Sequence, residues 1–345
     1  MAFTNCWRVA DMGRRLCIVG ATGAVGTEFI RVLERFRPDF SSLDLVASAR
    51  SAGNRISVLG TEHVVKDIET YDFARSDVAF FSAGSRVSKS HAPRASAAGC
   101  VVVDNTSSFR MDADKKLVVP QINGDLLSDV VPGEIIANPN CSTIQIVKVL
   151  HPIEKALGIE SAVASTYQAA SGAGVKAVDE LLVHLGEPVL SVSASKSFVV
   201  PLAMNVIPLI DELYDDGWTK EELKITLESR KILRESRLAI TATAVRVPVV
   251  TGHSVAMYIK TRRPVDLGEF RSIFEGNPEV HVYRDNKQVP TPRFIEDPAK
   301  TYVGRVRLNR DDPCGIWTWI VADNLWVGAA YNGYQIAEAI QLRKC

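Results

Sequence analysis

Apolar positions along this chain change period in a way that divides it into two units. Over residues 15–36 a β-rich run, "LCIV", is followed by Gly20, Gly23 and Gly26, then by Phe29, Ile30, Leu33 and Phe36 at helical spacing. That order predicts a strand, a glycine turn and an amphipathic helix. Short unbroken apolar runs return at 43–48, 78–83, 100–105 and 134–138 and read as buried strands, with helical material around "SKSHAPRASAAG" between the runs at 78–83 and 100–105. Strands alternating with helices at this rhythm imply a parallel sheet with right-handed crossovers.

The character changes at Cys141. "TIQIVKVLHPIEKALG" places Ile146, Val149, Leu150, Ile153 and Leu157 on one stripe and stops at Gly158. A strand ("ESAVASTYQAA"), a helix ("GVKAVDELLVHLG") and a charged helix expected to face solvent ("TKEELKITLESRKIL") follow. "LAITATAVRVPVVTGHSVAMYIKT" supplies two strands joined near 248–253, "LGEFRSIFEGN" a helix, and "YVGRVRLN", "GIWTWIVAD" and "LWVGAA" further strands. Here alternation is loose, so the second unit reads as α+β with a mixed sheet. The expected architecture is α/β: a Rossmann-type dinucleotide-binding domain over 1–140, completed by a returning helix at 329–345, and a catalytic and dimerisation domain over 141–328.

Composition narrows the partners. A chain of 345 residues is long enough for two cores, and 40 basic residues balance 40 acidic ones. A net charge of zero argues against nucleic acid or a membrane surface as partner, and no apolar run has the length of a membrane span. The first 15 residues lack the apolar core of a signal peptide, and Met12 just ahead of the first strand suggests a dispensable leader or a later start. Six cysteines, at 6, 17, 100, 141, 314 and 345, show neither zinc nor disulfide spacing, which points to a reducing cytoplasm.

"GATGAVG" is a spacing variant of the dinucleotide fingerprint, placed between a first strand and an amphipathic helix where such a turn cradles a pyrophosphate. At the second strand's end "ASARSAG" offers Ser48, Arg50 and Ser51 but no acid, Asp44 lying at the strand's start. A ribose 2′-hydroxyl calls for Asp or Glu there and a 2′-phosphate for Arg and hydroxyls, so NADP is expected. Alone, Arg50 also reads as a surface arginine.

Cys141, in "NPNCST", follows the last strand of the nucleotide unit and begins a helix, where free N–H groups and the helix dipole favour a thiolate. Of six histidines, His63 and His184 read as surface residues, while His253, in a Gly-His-Ser turn after Arg246, stands apart. An arginine and a histidine around one bend can grip a carboxylate and exchange a proton. Arg110 ends a strand as a possible anion clamp, and Gln168 precedes the Ser171–Gly172 turn.

Taken in order, "GATGAVG", "SARSAG", "VVVDNTSSFR", "NPNCSTIQ", "TYQAASGAG", "EELKITLESRKI", "RVPVVTGHS" and "DNLWVGAAYNGYQIAE" resemble the aspartate-β-semialdehyde dehydrogenases over nearly the whole chain. The resemblance implies reductive dephosphorylation of β-aspartyl phosphate by a homodimer, or a dimer of dimers, on the route to lysine, threonine, methionine and diaminopimelate. It implies Cys141 as nucleophile, His253 as acid/base and Gln168 as the residue orienting the acyl group. Arg246 and Glu221 would hold the substrate's carboxylate and amino ends, and Arg110, Asn140 and Lys224 its phosphate. Without the resemblance, Glu221 and Lys224 read as a surface ion pair. NADP would lie along Gly20, Thr22, Gly23, Ala24, Val25 and Gly26, with Ser48, Arg50 and Ser51 at its 2′-phosphate. Ser82, Ala83, Gly84, Ser171, Gly172 and Asn324 would complete the cofactor's path, and no metal is expected. Trp326, Tyr331 and Gly333 depart from the pattern and leave packing at the domain junction open. Two alternatives stay open on the residues alone: another acyl-phosphate reductase or phosphorylating aldehyde dehydrogenase of the same architecture, and a non-catalytic nucleotide sensor.

Overall fold

The computed structural model describes residues 13–188 and 193–340. The leader expectation falls almost wholly outside them, as does the 341–345 end of the span expected for the returning helix. Strands β1 (Arg14–Val19), β2 (Phe40–Ala47), β5 (Lys66–Asp67), β6 (Val78–Phe81), β7 (Val101–Asp104), β8 (Lys116–Leu117) and β9 (Ile135–Ala137) form one sheet. Its order is β5-β2-β1-β6-β7-β9-β8, and every recorded pairing is parallel. The continuous apolar runs of β6 and β7 are buried on both faces, as a helix-covered parallel sheet requires. A short antiparallel hairpin, β3 (Arg55–Val58) and β4 (Thr61–Val64), follows β2. Helix α1 (Ala24–Phe36) covers one face through Phe29, Ile30 and Leu33, and α2 (Ser85–Ala97) the other through Ala92 and Ala95. Strand order reverses at β1, so the glycine turn sits at the switch point where such sheets take ligands. Gly26 is forced by contact: a Cβ there would lie 2.1 Å from the Gly20 carbonyl oxygen.

A six-stranded mixed sheet forms the second unit, in the order β11 (Ala239–Arg246), β10 (Ile159–Gln168), β12 (His253–Thr261), β15 (Gly315–Ala322), β14 (Thr301–Leu308), β13 (Val280–Val282). β11 runs parallel to β10 and β12 antiparallel to it, so the two consecutive strands flank β10 instead of pairing. Helices α4 (Cys141–Leu157), α6 (Lys220–Leu233) and α7 (Leu267–Ser272) pack on one face. On the other face Val163 and Trp317 stay exposed. Helix α5 (Val175–Leu185) follows β10, and α3 (Pro120–Asn123) precedes β9.

Three sequence expectations need correction. Helix α6 does not face solvent: Glu221, Ile225, Glu228 and Ile232 share a buried face, because its carboxylates find partners inside the protein. "LWVGAA" is no strand; Trp326–Ala330 is a π-helical turn leading into α8 (Tyr331–Ala339), with Ala330 N–H bonded to Leu325 O at 2.8 Å. His184 is buried against its helix's neighbours instead of lying on the surface. Helix α4 also exceeds its stripe, since residues 142–150 are all buried. Its Ile146 and Val149 side faces the mixed sheet, and its Ile144 and Val147 side meets Ile232, Val327 and Ala137.

The unusual junction residues fit here. Trp326 donates its indole N–H to Glu28 of α1 at 2.7 Å, and Gly333 gives α8 room against Phe80, whose ring a Cβ would approach to 2.3 Å. Below them, the buried Lys148 of α4 pairs with Glu279, which also accepts from Gln121 and Gln335. Lys148→Ala would leave Glu279 facing this interior without its cation, at a cost of about 3 kcal/mol or more. Denaturant unfolding should show that loss, and a midpoint within 0.5 kcal/mol of the parent, ~the scatter of a surface change, would contradict it.

Candidate active site

Asn140 caps α4 and fixes where Cys141 stands. Its Oδ1 accepts from the amides of Ser142 and Thr143 at 2.9 and 3.1 Å. Its own N–H donates to Glu228 Oε2 at 2.6 Å and its Nδ2 to Glu221 Oε1 at 2.8 Å. The two carboxylates lie seven residues apart on α6, so one helix face holds the residue before the cysteine from two directions. Gly328 closes the other side of Cys141, where a Cβ would approach the Cys141 Cβ to 2.7 Å.

Arg110 is equally committed. Nε donates to Asn138 O at 2.9 Å, Nη2 to Asn105 O at 2.9 Å and Nη1 to Glu228 Oε1 at 3.2 Å. Glu228 thereby supports both the anion clamp and the nucleophile's cap, and burial lifts its carboxyl above the usual range against the pull of Arg110. Glu221 behaves oppositely. Although burial opposes ionisation, Lys224, Asn140 and Gln168 together hold its carboxyl down at about 2. Both N–H directions of Gln168 are occupied, toward Thr166 Oγ1 at 3.3 Å and Glu221 at 3.1 Å, so it buttresses Glu221. Lys224 donates to Glu221 at 3.1 Å and to Asp211 at 2.6 Å.

Charge at the nucleophile bears on a further expectation. Burial first, and then the Glu221 charge, push the Cys141 thiol up to about 11, against the pull of Arg110, Arg246 and Lys224. A helix N-terminus opposes this rise by about 0.3–1 kcal/mol when exposed. Its two following amides are also already taken by Asn140. Burial and the nearby Arg246 cation push His253 down to about 3. The ring is fully buried and accepts at Nδ1 from the Ala169 amide at 3.0 Å, which in the neutral ring puts the proton on Nε2. That Nε2 has no protein partner and lies under Gly172, where a Cβ would come within 3.3 Å of it and 2.9 Å of Arg246 Nη1. Arg246 also donates to Ala169 O at 2.7 Å.

These groups meet in a cleft of about 360 Å³. Of the residues singled out from sequence, Cys141, Gln168, Arg110, Asn140, Glu221, Lys224, Arg246, Val25, Ser171, Gly172 and Asn324 line it. His253 does not line it but backs it through Gly172. Ser171 and Asn324 hydrogen-bond each other, and Asn324 Oδ1 accepts from the Gly252 amide at 2.8 Å. The remaining cofactor candidates lie apart, along the ends of β1, β2 and β6. There Gly23 N–H bonds Gly20 O at 2.9 Å, Thr22 Oγ1 reaches Ser51 Oγ at 3.3 Å, and Gly84 takes φ 90° ahead of α2 with open space at its Cα. Ser48 and Arg50 are exposed, while Asp44 is occupied by Lys66 and Tyr71 and cannot serve a ribose. A tight glycine turn, open space at Gly84, and the nearby hydroxyls and exposed Arg50 fit a dinucleotide.

Sequence reasoning missed Glu228, Asp211 and Gly328. The spacing of Glu221, Ile225, Glu228 and Ile232 on one helix face was the available signal for Glu228. Nothing local marks the other two, which act through contacts far along the chain.

Known proteins resemble this arrangement. Residues 15–130 match the family described as semialdehyde dehydrogenase, NAD binding domain, and residues 150–327 the semialdehyde dehydrogenase, dimerisation domain. An aspartate-semialdehyde dehydrogenase of Legionella pneumophila is 43% identical over 96% of this chain and 97% of its own. The crystal structure of Vibrio cholerae aspartate semialdehyde dehydrogenase II complexed with ASA superposes with a TM-score of 0.91 at 39% identity, covering 95% of this chain and 98% of that one. The Candida albicans enzyme with NADP superposes at 0.75 with 25% identity, covering 95% and 98%. Among the described residues no helix is long and apolar enough to cross a membrane, and no group of His, Cys, Asp and Glu could hold a metal. With matched family domains over most of its length and a near-full-length relative 43% identical, the chain belongs to the aspartate-semialdehyde dehydrogenase family.

Proposed function

We propose that the chain, as a homodimer or dimer of dimers, reduces β-aspartyl phosphate to aspartate semialdehyde with NADPH, releasing phosphate. The observation that carries this is the cleft itself. It combines a thiol at a capped helix start with three cations, Arg110, Arg246 and Lys224, whose charges all act on that thiol. Arg246 and Glu221 are charged opposites suited to the carboxylate and ammonium of an amino acid. Asn140 and the pair Arg110 and Lys224, which line the same cleft, suit a phosphate.

In this reading Cys141 Sγ attacks the acyl carbon, a C–S bond forms, and the acyl C–O bond to phosphate breaks with its electron pair leaving on phosphate. The thiol proton passes to the departing phosphate, and Arg110 and Lys224 hold the growing charge on its oxygens. Bound reduced nicotinamide supplies hydride to the acyl carbon. Collapse of the resulting thiohemiacetal oxyanion breaks the C–S bond, frees the aldehyde and leaves its electron pair on Cys141 Sγ, which takes up a proton to restore the thiol. His253 presents Nε2–H, so it enters as a proton donor toward the oxygen at the reacting carbon. To act as base it must become imidazolium and give up the Ala169 bond. Gln168 keeps Glu221 aimed at the ammonium end. Arg50, with Ser48 and Ser51, suits a 2′-phosphate, which supports NADP over NAD, as does the NADP named with the Candida albicans relative.

The test is phosphate-dependent reduction of NADP and of NAD by aspartate semialdehyde. NADP should be preferred, with Arg50→Ala narrowing the preference roughly tenfold. Cys141→Ser should lose about 10³-fold or more in kcat. Activity independent of phosphate, or kept by the serine variant, would overturn the reading. A second expectation follows from the neutral thiol and imidazole. Alkylation of Cys141 by iodoacetamide in the free enzyme should rise about tenfold per pH unit through the alkaline range toward pH about 11. Peptide mapping reads the site, and a rate that is flat above neutrality would mean a preformed thiolate.

A further inference from the structure

Five charged side chains line the cleft: Arg110, Lys224 and Arg246 against Glu221 and Asp211. Glu228 lies directly on Arg110. Three cations therefore face three carboxylates, and the pocket is balanced before any substrate enters. A phosphate dianion arriving at Lys224 would add charge with nothing to offset it unless a carboxylate withdraws.

The three carboxylates are not equally able to withdraw. Glu221 and Glu228 are almost wholly buried, with side-chain exposures of 6% and 1%, and both hold Asn140. Asp211 is different. Its side chain is 35% exposed, and it sits on the irregular segment before α6. Its backbone is left-handed, at φ 70°, a conformation that aspartate tolerates better than most residues. One carboxylate oxygen meets the Glu212 amide at 3.0 Å, and the other lies 2.6 Å from Lys224 Nζ. An acidic oxygen thus already occupies the ammonium to which an oxyanion of the substrate must bind.

We infer that Asp211 is a specificity-determining residue of the phosphate subsite, whose carboxylate caps Lys224 until a dianionic oxyanion displaces it. This rests on the assignment of Arg110, Asn140 and Lys224 to the phosphate. Displacement exchanges one negative charge for two, so dianions exchange favourably with the carboxylate. A monoanion gains nothing over the Asp211 carboxylate and is excluded. The residue lowers affinity for phosphate in return for that selectivity.

Asp211→Asn tests this, because asparagine keeps the left-handed backbone and an oxygen for the Glu212 amide while losing the charge. Inorganic phosphate binding to the full chain is followed by phosphorus-NMR line broadening, with nitrate as a monoanionic competitor, and the phosphate KM is measured alongside. The variant should bind phosphate about tenfold more tightly, lower the phosphate KM in step, and admit nitrate as a competitor. Asp211→Gly, which adopts the same backbone without strain, should shift in the same direction. Unchanged or weaker phosphate binding in both variants would mean that Asp211 merely aims Lys224, and would overturn the inference alone. A parent chain that binds no phosphate would overturn the subsite assignment along with it.

Discussion

The nucleophile, the anion clamp and the buried carboxylates of the cleft meet at Asn140. Its side-chain oxygen caps the two amides after the cysteine, and its backbone and side-chain N–H groups end on Glu228 and Glu221. Few residues use their donors and acceptors so completely. The consequence is geometric: the start of α4, the buried face of α6 and the strand-end arginine Arg110 form one hydrogen-bonded unit. Because α4 is packed between the cores of both units, the unit spans their junction. A charged helix face that would be costly in the interior is tolerated because each carboxylate has several donors.

The same arrangement explains why the resting site is quiet. Burial and the Glu221 charge keep the thiol protonated, and burial with Arg246 keeps His253 neutral. Reactivity then has to come with the ligand, since an anion at Arg110 and Lys224 and a carboxylate at Arg246 change the field the sulfur feels. A neutral free thiol is also protected from adventitious oxidation, which proceeds through the thiolate.

Much of this was legible in the chain. Periodicity located the parallel sheet, the glycine turn and the long helix after Cys141, because those elements have local signatures. The motif order pointed to the family and to most cleft residues. What escaped was set by distant contacts. Helix α6 reads as solvent-facing, since "KEELKITLESRKIL" is mostly charged, and only the partners Arg110, Asn140 and Lys224 make its acidic face an interior one. "LWVGAA" has strand composition, yet becomes a π-helical turn where Gly328 abuts Cys141 and Trp326 reaches Glu28. Position at a helix start suggested a thiolate, whereas burial and the Glu221 charge, both invisible in sequence, push the thiol upward.

The central claim is that Cys141 carries the acyl group. Mixing the protein with aspartate semialdehyde and NADP in the absence of phosphate, then quenching in acid, should trap that group. Peptide mass spectrometry should find one aspartyl addition per subunit on the peptide containing Cys141, discharged when inorganic phosphate is added before the quench. An unmodified Cys141 peptide accompanying reduced dinucleotide, or an adduct on a different residue, would contradict the account.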